Sequence, residues 1–181
     1  MRKRVSVHSR DAPGLGPSKL LFEIRGRPVG ASAGKKRRGI VVSADGRTVY
    51  VSDQPNNQLV VVDIASRKAT GVIALGESPE GVGISPDGRW VAAAVEETND
   101  VAFVDTRTQR KAFVIKVRGK NPEHAVFAPD GRHVFVSAEE GEAVDVIDVA
   151  TAPMPHLRTS LSPFPRKSDF WGRDKLSKRR H

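Results

Sequence analysis

The sequence contains no cysteine and few aromatic residues, and these absences exclude several kinds of site. None of its 181 residues is Cys, and Phe, Trp and Tyr together make up 6%. Without thiols the chain cannot form disulfides, use a thiolate nucleophile, attach a c-type haem or bind zinc through cysteine. The sequence therefore does not indicate whether the protein works in an oxidising or a reducing compartment, and it excludes cysteine-based catalysis.

Long hydrophobic runs are also missing. The basic start Met1–Arg4 resembles the first part of a signal peptide, but the residues after it contain no apolar stretch of signal length. No run is long enough to span a bilayer. We therefore predict no signal peptide and no membrane span in this chain, and a cytoplasmic location for the chain as given.

The net charge of +9 is unevenly distributed along the chain. Residues 1–38 contain 11 Lys and Arg against 2 Asp and Glu, residues 39–151 contain 11 against 17, and residues 152–181 contain 8 against 2. The flanks are rich in Arg, Pro and Ser, a composition typical of disordered tails. We interpret the basic runs Lys35–Arg38 and Lys178–Arg180 as solvated tail residues. Weak nucleic-acid binding through the tails is an alternative that we do not favour.

The chain does contain a repeat of about 42 residues. Two markers return with spacings of 42 and 43. They are an Asp-Gly pair, beginning at Asp45, Asp87 and Asp130, and a single aspartate at Asp63, Asp105 and Asp148. A period near 42 with several short strands per unit is the pattern of a β-propeller blade. We therefore predict an all-β fold, a partial propeller of about three blades at residues 34–151, between disordered flanks at residues 1–33 and 152–181.

The middle repeat shows how one blade is expected to form. Its apolar runs predict four antiparallel strands, at Glu80–Ser85, Arg89–Val95, Asn99–Asp105 and Lys111–Val117. In the segment SPDG, Pro86 and Gly88 favour a type I turn that closes a hairpin with a bulge. We interpret the second recurring aspartate as a turn or backbone acceptor rather than a general base.

Four segments carry a resemblance to a known family: YVSD at Tyr50–Asp53, the SPDGR turn, VVVDIAS and GESPEG. They resemble the YVTN-type β-propeller repeats of bacterial and archaeal proteins, in particular propellers associated with quinone-dependent catabolism and surface-layer-type propellers. The resemblance covers residues 34–151 and implies WD40-like blades. Its members are mostly binding or uncharacterised propellers, often periplasmic or at the cell surface. A minority of related propellers are enzymes, including lactonases and d1-haem and amine dehydrogenase domains.

No motif indicates catalysis or a cofactor. The segment GVGISP at Gly81 lacks the third glycine and the helix of a dinucleotide loop, and no Gly-x-Ser-x-Gly elbow is present. His124 and His133 flank one hairpin, but a third metal ligand is missing. We therefore predict a non-catalytic binding scaffold, truncated relative to a closed propeller, with no cofactor and no metal. The alternative is a fragment of a lactonase-like or cofactor-bearing propeller enzyme.

Ligand binding is predicted at the loops that precede the first strand of each repeat. Loops 34–38, 76–80 and 119–124 are one period apart and should line one rim, where a protein or a small molecule would bind. The candidate residues are Lys35, Arg38, Glu77, Glu80, Lys120, Asn121, Glu123 and His124. We also expect the uncovered end faces of a three-bladed segment to self-associate.

Overall fold

The repeats fold into three four-stranded antiparallel sheets, which we call blades 1, 2 and 3. The structure is a computed structural model that describes residues 37–140, 144–149 and 156–161. Blade 1 contains β1 (Arg37–Val42), β2 (Thr48–Asp53), β3 (Gln58–Asp63) and β4 (Lys68–Ala74). Blade 2 contains β5 (Pro79–Ile84), β6 (Trp90–Val95), β7 (Asp100–Asp105) and β8 (Arg110–Lys116). Blade 3 contains β9 (Lys120–Phe127), β10 (His133–Glu140), β11 (Val144–Asp148) and β12 (His156–Leu161).

The predicted all-β partial propeller is confirmed, and each strand of blade 2 lies within one residue of its expected position. A 3₁₀ turn at Gln54–Asn56 follows β2. Blade 3 extends past the expected boundary at residue 151, because β12 pairs with β11 inside the segment assigned to the tail. The segment HLRTSL has only two apolar residues, so it carried little strand signal. The rest of both predicted flanks lies outside the described residues. No helix in the described ranges is long and apolar enough to cross a membrane.

The Asp-Gly turns close the first hairpin of each blade. Gly88 has a φ of 70°, and its N–H donates to the carbonyl oxygen of Ser85 over 2.8 Å, as expected for the predicted turn. The carboxylate of Asp87 accepts bonds from the Ser85 hydroxyl and the Arg89 N–H. These bonds to the ionised form lower the pKa of Asp87 below its ordinary value.

The second recurring aspartate has two different roles. Asp63 accepts the N–H of Ser66 over 2.7 Å, and Asp105 accepts the N–H of Arg107 over 2.8 Å, so both act as the predicted backbone acceptors. Asp148 is buried and pairs with the guanidinium of Arg132 through both carboxylate oxygens, at 3.1 and 2.9 Å. The backbone-acceptor interpretation therefore describes the first two copies, and the last two copies also pair with an arginine, Asp105 with Arg89 over 3.7 Å and Asp148 with Arg132.

Blades pack face to face through two apolar clusters. Between blades 1 and 2, Leu59 and Val61 of blade 1 pack against Val91 and Val104 of blade 2. Between blades 2 and 3, the central residue is Phe103, which belongs to the cluster that includes residues of β9, β10 and β11. We call these contacts the 1–2 junction and the 2–3 junction. Full burial of such side chains stabilises the stack by about 2 kcal/mol each.

The first strands of the three blades, β1, β5 and β9, lie side by side at very short distances. A Cβ atom placed on Gly81 would lie 2.6 Å from the carbonyl oxygen of Glu123, and one placed on Gly39 would lie 2.6 Å from the amide nitrogen of Val82. Only glycine permits this approach of backbone to backbone. The close approach brings together the loops that precede the three strands.

Candidate functional site

One end of the blades carries both kinds of loop from which a site can be built. In a four-stranded meander, the connection between the second and third strands lies at the same end as the connection into the next blade. We call this end the loop face. At the 1–2 junction the side chain of Asn57 accepts the N–H of Ser78 over 3.0 Å, and at the 2–3 junction Asn99 accepts the N–H of Asn121 over 2.8 Å. The structure therefore brings the predicted rim loops to one end of the molecule.

Glu80 is the central residue of the loop face. Its side chain is 5% exposed although it carries a carboxyl group. Gln54 donates its amide N–H to one carboxyl oxygen of Glu80, and Nε of Arg38 lies 3.4 Å from the other. A buried carboxyl needs partners of this kind, because desolvation strongly disfavours an isolated charge.

A second acid is linked to Glu80 through two polar side chains. Gln54 donates to the hydroxyl oxygen of Ser78 over 2.8 Å, and the Ser78 hydroxyl donates to Glu96 over 2.7 Å. Gln54 comes from blade 1, whereas Ser78 and Glu96 belong to the loops of blade 2. The network therefore exists only where the two blades meet.

The pKa of Glu80 is raised to about 7. Burial is the main cause, because it disfavours the charged form. The positive charge of Arg38 opposes this shift, and the negative charges of Glu96 and Glu123 add to it. Glu80 can consequently hold or release a proton near neutral pH, which an ordinary glutamate cannot do efficiently.

Arg37, the neighbour of Arg38, anchors the loop that carries Gln54. Its guanidinium lies 2.7 Å from a carboxylate oxygen of the fully buried Asp53, and Asn56 donates to the other oxygen over 2.8 Å. The interpretation of the whole run Lys35–Arg38 as solvated tail is therefore wrong for its last two residues. Both are part of β1, and each pairs with a buried carboxylate of the loop face.

The structure places the predicted ligand-binding residues in different environments. Arg38, Glu80 and Glu123 converge, since the charges of the other two both act on Glu80. Glu77 and Lys120 are exposed. Asn121 contributes its backbone N–H rather than its side chain. His124 is exposed on β9, and Lys35 lies outside the described residues. Whether any of them binds a ligand stays a prediction.

Sequence reasoning missed the residues that hold Glu80 in place. Gln54 and Glu96 follow the second strand of their blades and are 42 residues apart, so they occupy the same repeat position. That equivalence could have identified them if the second loop of each repeat had been compared. Within the described ranges, no cluster of three His, Asp or Glu side chains could hold a metal ion.

Comparison with known proteins gives a family match and several structural relatives. Residues 3–118 match the family described as "Lactonase, 7-bladed beta-propeller". The match includes residues 3–33, which precede the first recognisable repeat and were assigned to the N-terminal flank in the sequence analysis. No curated protein matches the chain significantly.

Three of the solved structures that resemble the chain are longer than it is. Hydrazine synthase from Kuenenia stuttgartiensis is 29% identical with a TM-score of 0.62, and the match covers 68% of this chain and 36% of that one. A candidate 6-phosphogluconolactonase from Bacteroides fragilis is 16% identical with a TM-score of 0.63, covering 70% and 39%. The dihydro-haem d1 dehydrogenase NirN is 20% identical with a TM-score of 0.55, covering 67% and 28%. The chain thus spans less than two fifths of each of these proteins.

The prediction that the chain is not an enzyme is wrong. Residues 3–118 match a family of lactonases, and this match contradicts the prediction. No catalytic motif was found in the sequence, and Glu80, whose pKa is strongly raised, is an ordinary glutamate by its sequence context. Its pKa depends on burial between two blades, and no short sequence motif predicts that burial.

Proposed function

Because the chain belongs to the lactonase family of seven-bladed β-propellers, we propose that its loop face hydrolyses lactones, with Glu80 as the general base and Arg38 as the anion-binding group. The observation that carries this proposal is the buried Glu80 carboxyl, whose pKa of about 7 is matched to proton transfer at neutral pH. The chain spans less than two fifths of the length of the solved relatives named above. The proposed activity therefore refers to the three described blades and not to a complete propeller.

Opening a lactone needs one proton to move twice. The Glu80 carboxylate accepts a proton from a water molecule while the water oxygen forms a bond to the lactone carbonyl carbon. The carbon–oxygen bond of the ring then breaks, and the proton passes from Glu80 to the released ring oxygen. A pKa close to the working pH makes both transfers efficient. The products are the hydroxyl and the carboxylic acid of the opened chain.

Arg38 is placed to stabilise the negative charge that develops on the carbonyl oxygen. Its side chain is 42% exposed, so a substrate can reach the guanidinium from solvent. Its Nε atom is close to both Glu80 and the side-chain oxygen of Gln54, each at 3.4 Å. A guanidinium held in this way presents its remaining N–H groups in a fixed plane, which suits an oxyanion.

Gln54 and Ser78 act as positioning residues in this proposal. The Gln54 amide holds one oxygen of Glu80, which keeps the other oxygen on the side of Arg38. The Ser78 hydroxyl receives one bond from Gln54 and gives another to Glu96, so the amide orientation is fixed from both sides. Because proton transfer requires a positioned base, small displacements of Glu80 should lower the rate.

The test is a rate measurement with two sugar lactones. We would follow acid release from D-glucono-δ-lactone and from its 6-phosphate with the whole chain. Glu80→Gln should lower kcat/KM by about 10²-fold or more, the usual contribution of a general base. Glu97→Gln is the matched control, since it removes an exposed acid from the loop that carries Glu96 and should leave the rate unchanged. No acceleration by the unmodified chain, or equal rates for Glu80→Gln and the unmodified chain, would contradict the proposal.

A further inference from the structure

We propose that Glu80 and Glu96 share one proton, and that Glu96 passes this proton between the buried Glu80 and solvent. The inference rests on the hydrogen bonds around the two carboxyls and on the repeat positions that they occupy. The shared proton does not depend on any substrate. The use of the shared proton in catalysis rests on the proposed function.

The repeat places Glu96 between two other acids. Glu96 has the repeat position of Gln54, whose side chain contacts Arg38 of its own blade and Glu80 of the next blade. Glu80 and Glu123 have the repeat position of Arg38. The same arrangement, applied to blade 2, places Glu96 between Glu80 of its own blade and Glu123 of blade 3. A neutral amide therefore separates opposite charges at the 1–2 junction, whereas a carboxyl separates two other carboxyls at the 2–3 junction.

Backbone pairing holds the two acids of blade 2 side by side. Pro79 of β5 pairs with Val95 of β6, and Glu80 and Glu96 each follow one member of this pair. The N–H of Glu96 donates to the carbonyl oxygen of Ser78 over 3.0 Å. The distance between the two carboxyls is therefore set by the sheet and not by a flexible loop.

The hydrogen bonds around the two carboxyls assign the proton to Glu80. The side-chain amide nitrogen of Gln54 donates to Glu80 and, over 2.8 Å, to the hydroxyl oxygen of Ser78. Ser78 gives its hydroxyl proton to Glu96 over 2.7 Å, so Glu96 accepts as a carboxylate does. Ser78 has a φ of 59°, an uncommon conformation for serine, at the repeat position of Asn121. A serine at this strained position supplies the hydroxyl that joins Gln54 to Glu96.

The surrounding charges favour one shared proton over two carboxylates. Burial is the largest cause of the raised pKa of Glu80, and the positive charge of Arg38 opposes it. The charges of Glu96 and Glu123 raise the pKa of Glu80, and so does a hydrogen bond between Glu80 and Glu96. A hydrogen bond has this effect when the carboxyl donates it in the protonated form. The proton therefore lies between the two acids that are bonded to each other.

Exposure gives Glu96 its role in the proposed reaction. The side chain of Glu80 is 5% exposed, whereas Glu96 is half-buried and lies closer to solvent. Glu80 acts as a base only in its carboxylate form, so the shared proton must leave Glu80 before a lactone is opened. Glu96 accepts this proton from Glu80 and gives it to a water molecule. Glu96 thus acts through Glu80 and is a positioning residue.

An NMR titration of the whole chain with labelled glutamate carboxyl carbons tests the shared proton without a substrate. In the unmodified chain the carbons of Glu80 and Glu96 should both change their chemical shifts through one transition near pH 7, because the proton belongs to the pair. Glu96→Gln keeps an oxygen that accepts the Ser78 hydroxyl but removes the charge. The Glu80 midpoint should then fall by about one pH unit or more. Glu97→Gln, which removes the exposed acid beside Glu96, should leave the midpoint unchanged.

A second variant tests the same pair without changing either acid. Ser78→Gly tolerates the positive φ and removes the hydroxyl that donates to Glu96. Because Glu96 then loses a donor to its charged form, it should hold a larger share of the proton. The change in chemical shift of the Glu96 carbon across the transition should therefore grow relative to that of Glu80.

The outcomes separate this proposal from the proposed lactonase activity. In a rate measurement, Glu96→Gln should move the half-maximum of kcat/KM to lower pH by the same amount as the Glu80 midpoint. Equal Glu80 midpoints in Glu96→Gln and Glu97→Gln, or a Glu96 carbon that does not respond across the transition, would overturn the shared proton even if lactones are opened. If the titrations agree but no lactone is opened, the shared proton stands and the proposed function fails.

Discussion

The 1–2 and 2–3 junctions use the same backbone support but carry different side chains. At both, an asparagine with positive φ accepts the N–H of the loop that enters the next blade: Asn57 holds Ser78, and Asn99 holds Asn121. One repeat position near the start of the first strand is occupied by a different residue in each blade. It is Arg38 in blade 1, Glu80 in blade 2 and Glu123 in blade 3. The 1–2 junction therefore brings opposite charges together, and the 2–3 junction brings like charges together.

The shared and the differing residues of the two junctions have different roles: the shared ones support the blades, and the differing ones form the candidate site. The asparagine support recurs because each blade must hold the next one at a fixed distance. The polar network of Gln54, Ser78 and Glu96 occurs only at the 1–2 junction, whereas at the 2–3 junction the buried Asp145 accepts the N–H groups of Arg118 and Gly119. A residue that departs from its repeat equivalents on the loop face is thus a better guide to function than one that repeats.

The largest effect is expected at the 2–3 junction. In Gly83→Ala, the added Cβ would lie 2.3 Å from the carbonyl oxygen of Ala125, so the backbones must separate. We expect the free energy of unfolding to fall by about 3 kcal/mol, at the upper end for overpacking. Gly71→Ala is the control, since its nearest neighbour is a side-chain atom of Gln109 at 3.4 Å. Equal denaturant midpoints for the two variants would show that the first strands are not packed as closely as described.

The next effect concerns the acid at the 1–2 junction. The pKa of Glu80 is raised, so the folded chain binds more protons than the unfolded chain between its ordinary pKa of 4.5 and about 7. The free energy of unfolding should therefore fall as pH rises through this window, by about 3 kcal/mol. Glu80→Gln should remove this component, and Glu123→Gln should keep most of it. Identical pH dependence in Glu80→Gln and the unmodified chain would contradict the burial of Glu80.

A smaller and equal effect is expected from the two asparagines. Asn57→Ala and Asn99→Ala should each lower the free energy of unfolding by about 1–2 kcal/mol, because a loop N–H loses its acceptor and alanine disfavours positive φ. Asn57→Gly and Asn99→Gly, which tolerate the backbone conformation, should isolate the hydrogen-bond contribution. Thermal unfolding measures all four. If only one asparagine mattered, the two junctions would not share a common support.

The smallest effect is local to the turn of blade 3. There Ala128 replaces the serine that bonds to the turn aspartate in blades 1 and 2, and His133 donates to Asp130 instead, with Nδ1 and Oδ2 2.7 Å apart. Mainly this bond lowers the pKa of Asp130 to about 2, so its contribution is present above pH 3.8 and is lost as pH falls towards 2. His133→Leu should return the pKa of Asp130 towards its ordinary value in an NMR titration. Adding Ala128→Ser should lower the pKa of Asp130 again. An unchanged pKa of Asp130 in His133→Leu would show that His133 does not replace the serine as the donor to the turn aspartate.

The fold could be predicted from the sequence because its determinants are local. Apolar runs bounded by Asp-Gly turns placed the strands of blade 2 within one residue, and the period of 42 placed the other blades. The outer strand β12 was missed because its segment HLRTSL contains only two apolar residues. Outer strands depend more on pairing with their neighbour than on their own sequence.

The candidate site could be predicted only in part. Repeat spacing predicted that Arg38, Glu80 and Glu123 lie on one rim, and in the structure the charges of Arg38 and Glu123 both act on Glu80. The pKa of Glu80 could not be predicted, because it depends on Gln54 and Arg38 from the preceding blade and on burial at a junction. Such contacts join residues 26 and more positions apart, and no sequence window contains them.

The pH dependence of lactone opening tests the central claim most directly. With Glu80 as the general base, kcat/KM should rise with pH, reach half its maximum near pH 7 and then level off, since the carboxylate form is the active one. Glu97→Gln should reproduce this profile, and Glu80→Gln should lose both the rate and the inflection. A half-maximum near pH 4.5, or an inflection near pH 7 that persists in Glu80→Gln, would show that another group performs the proton transfer.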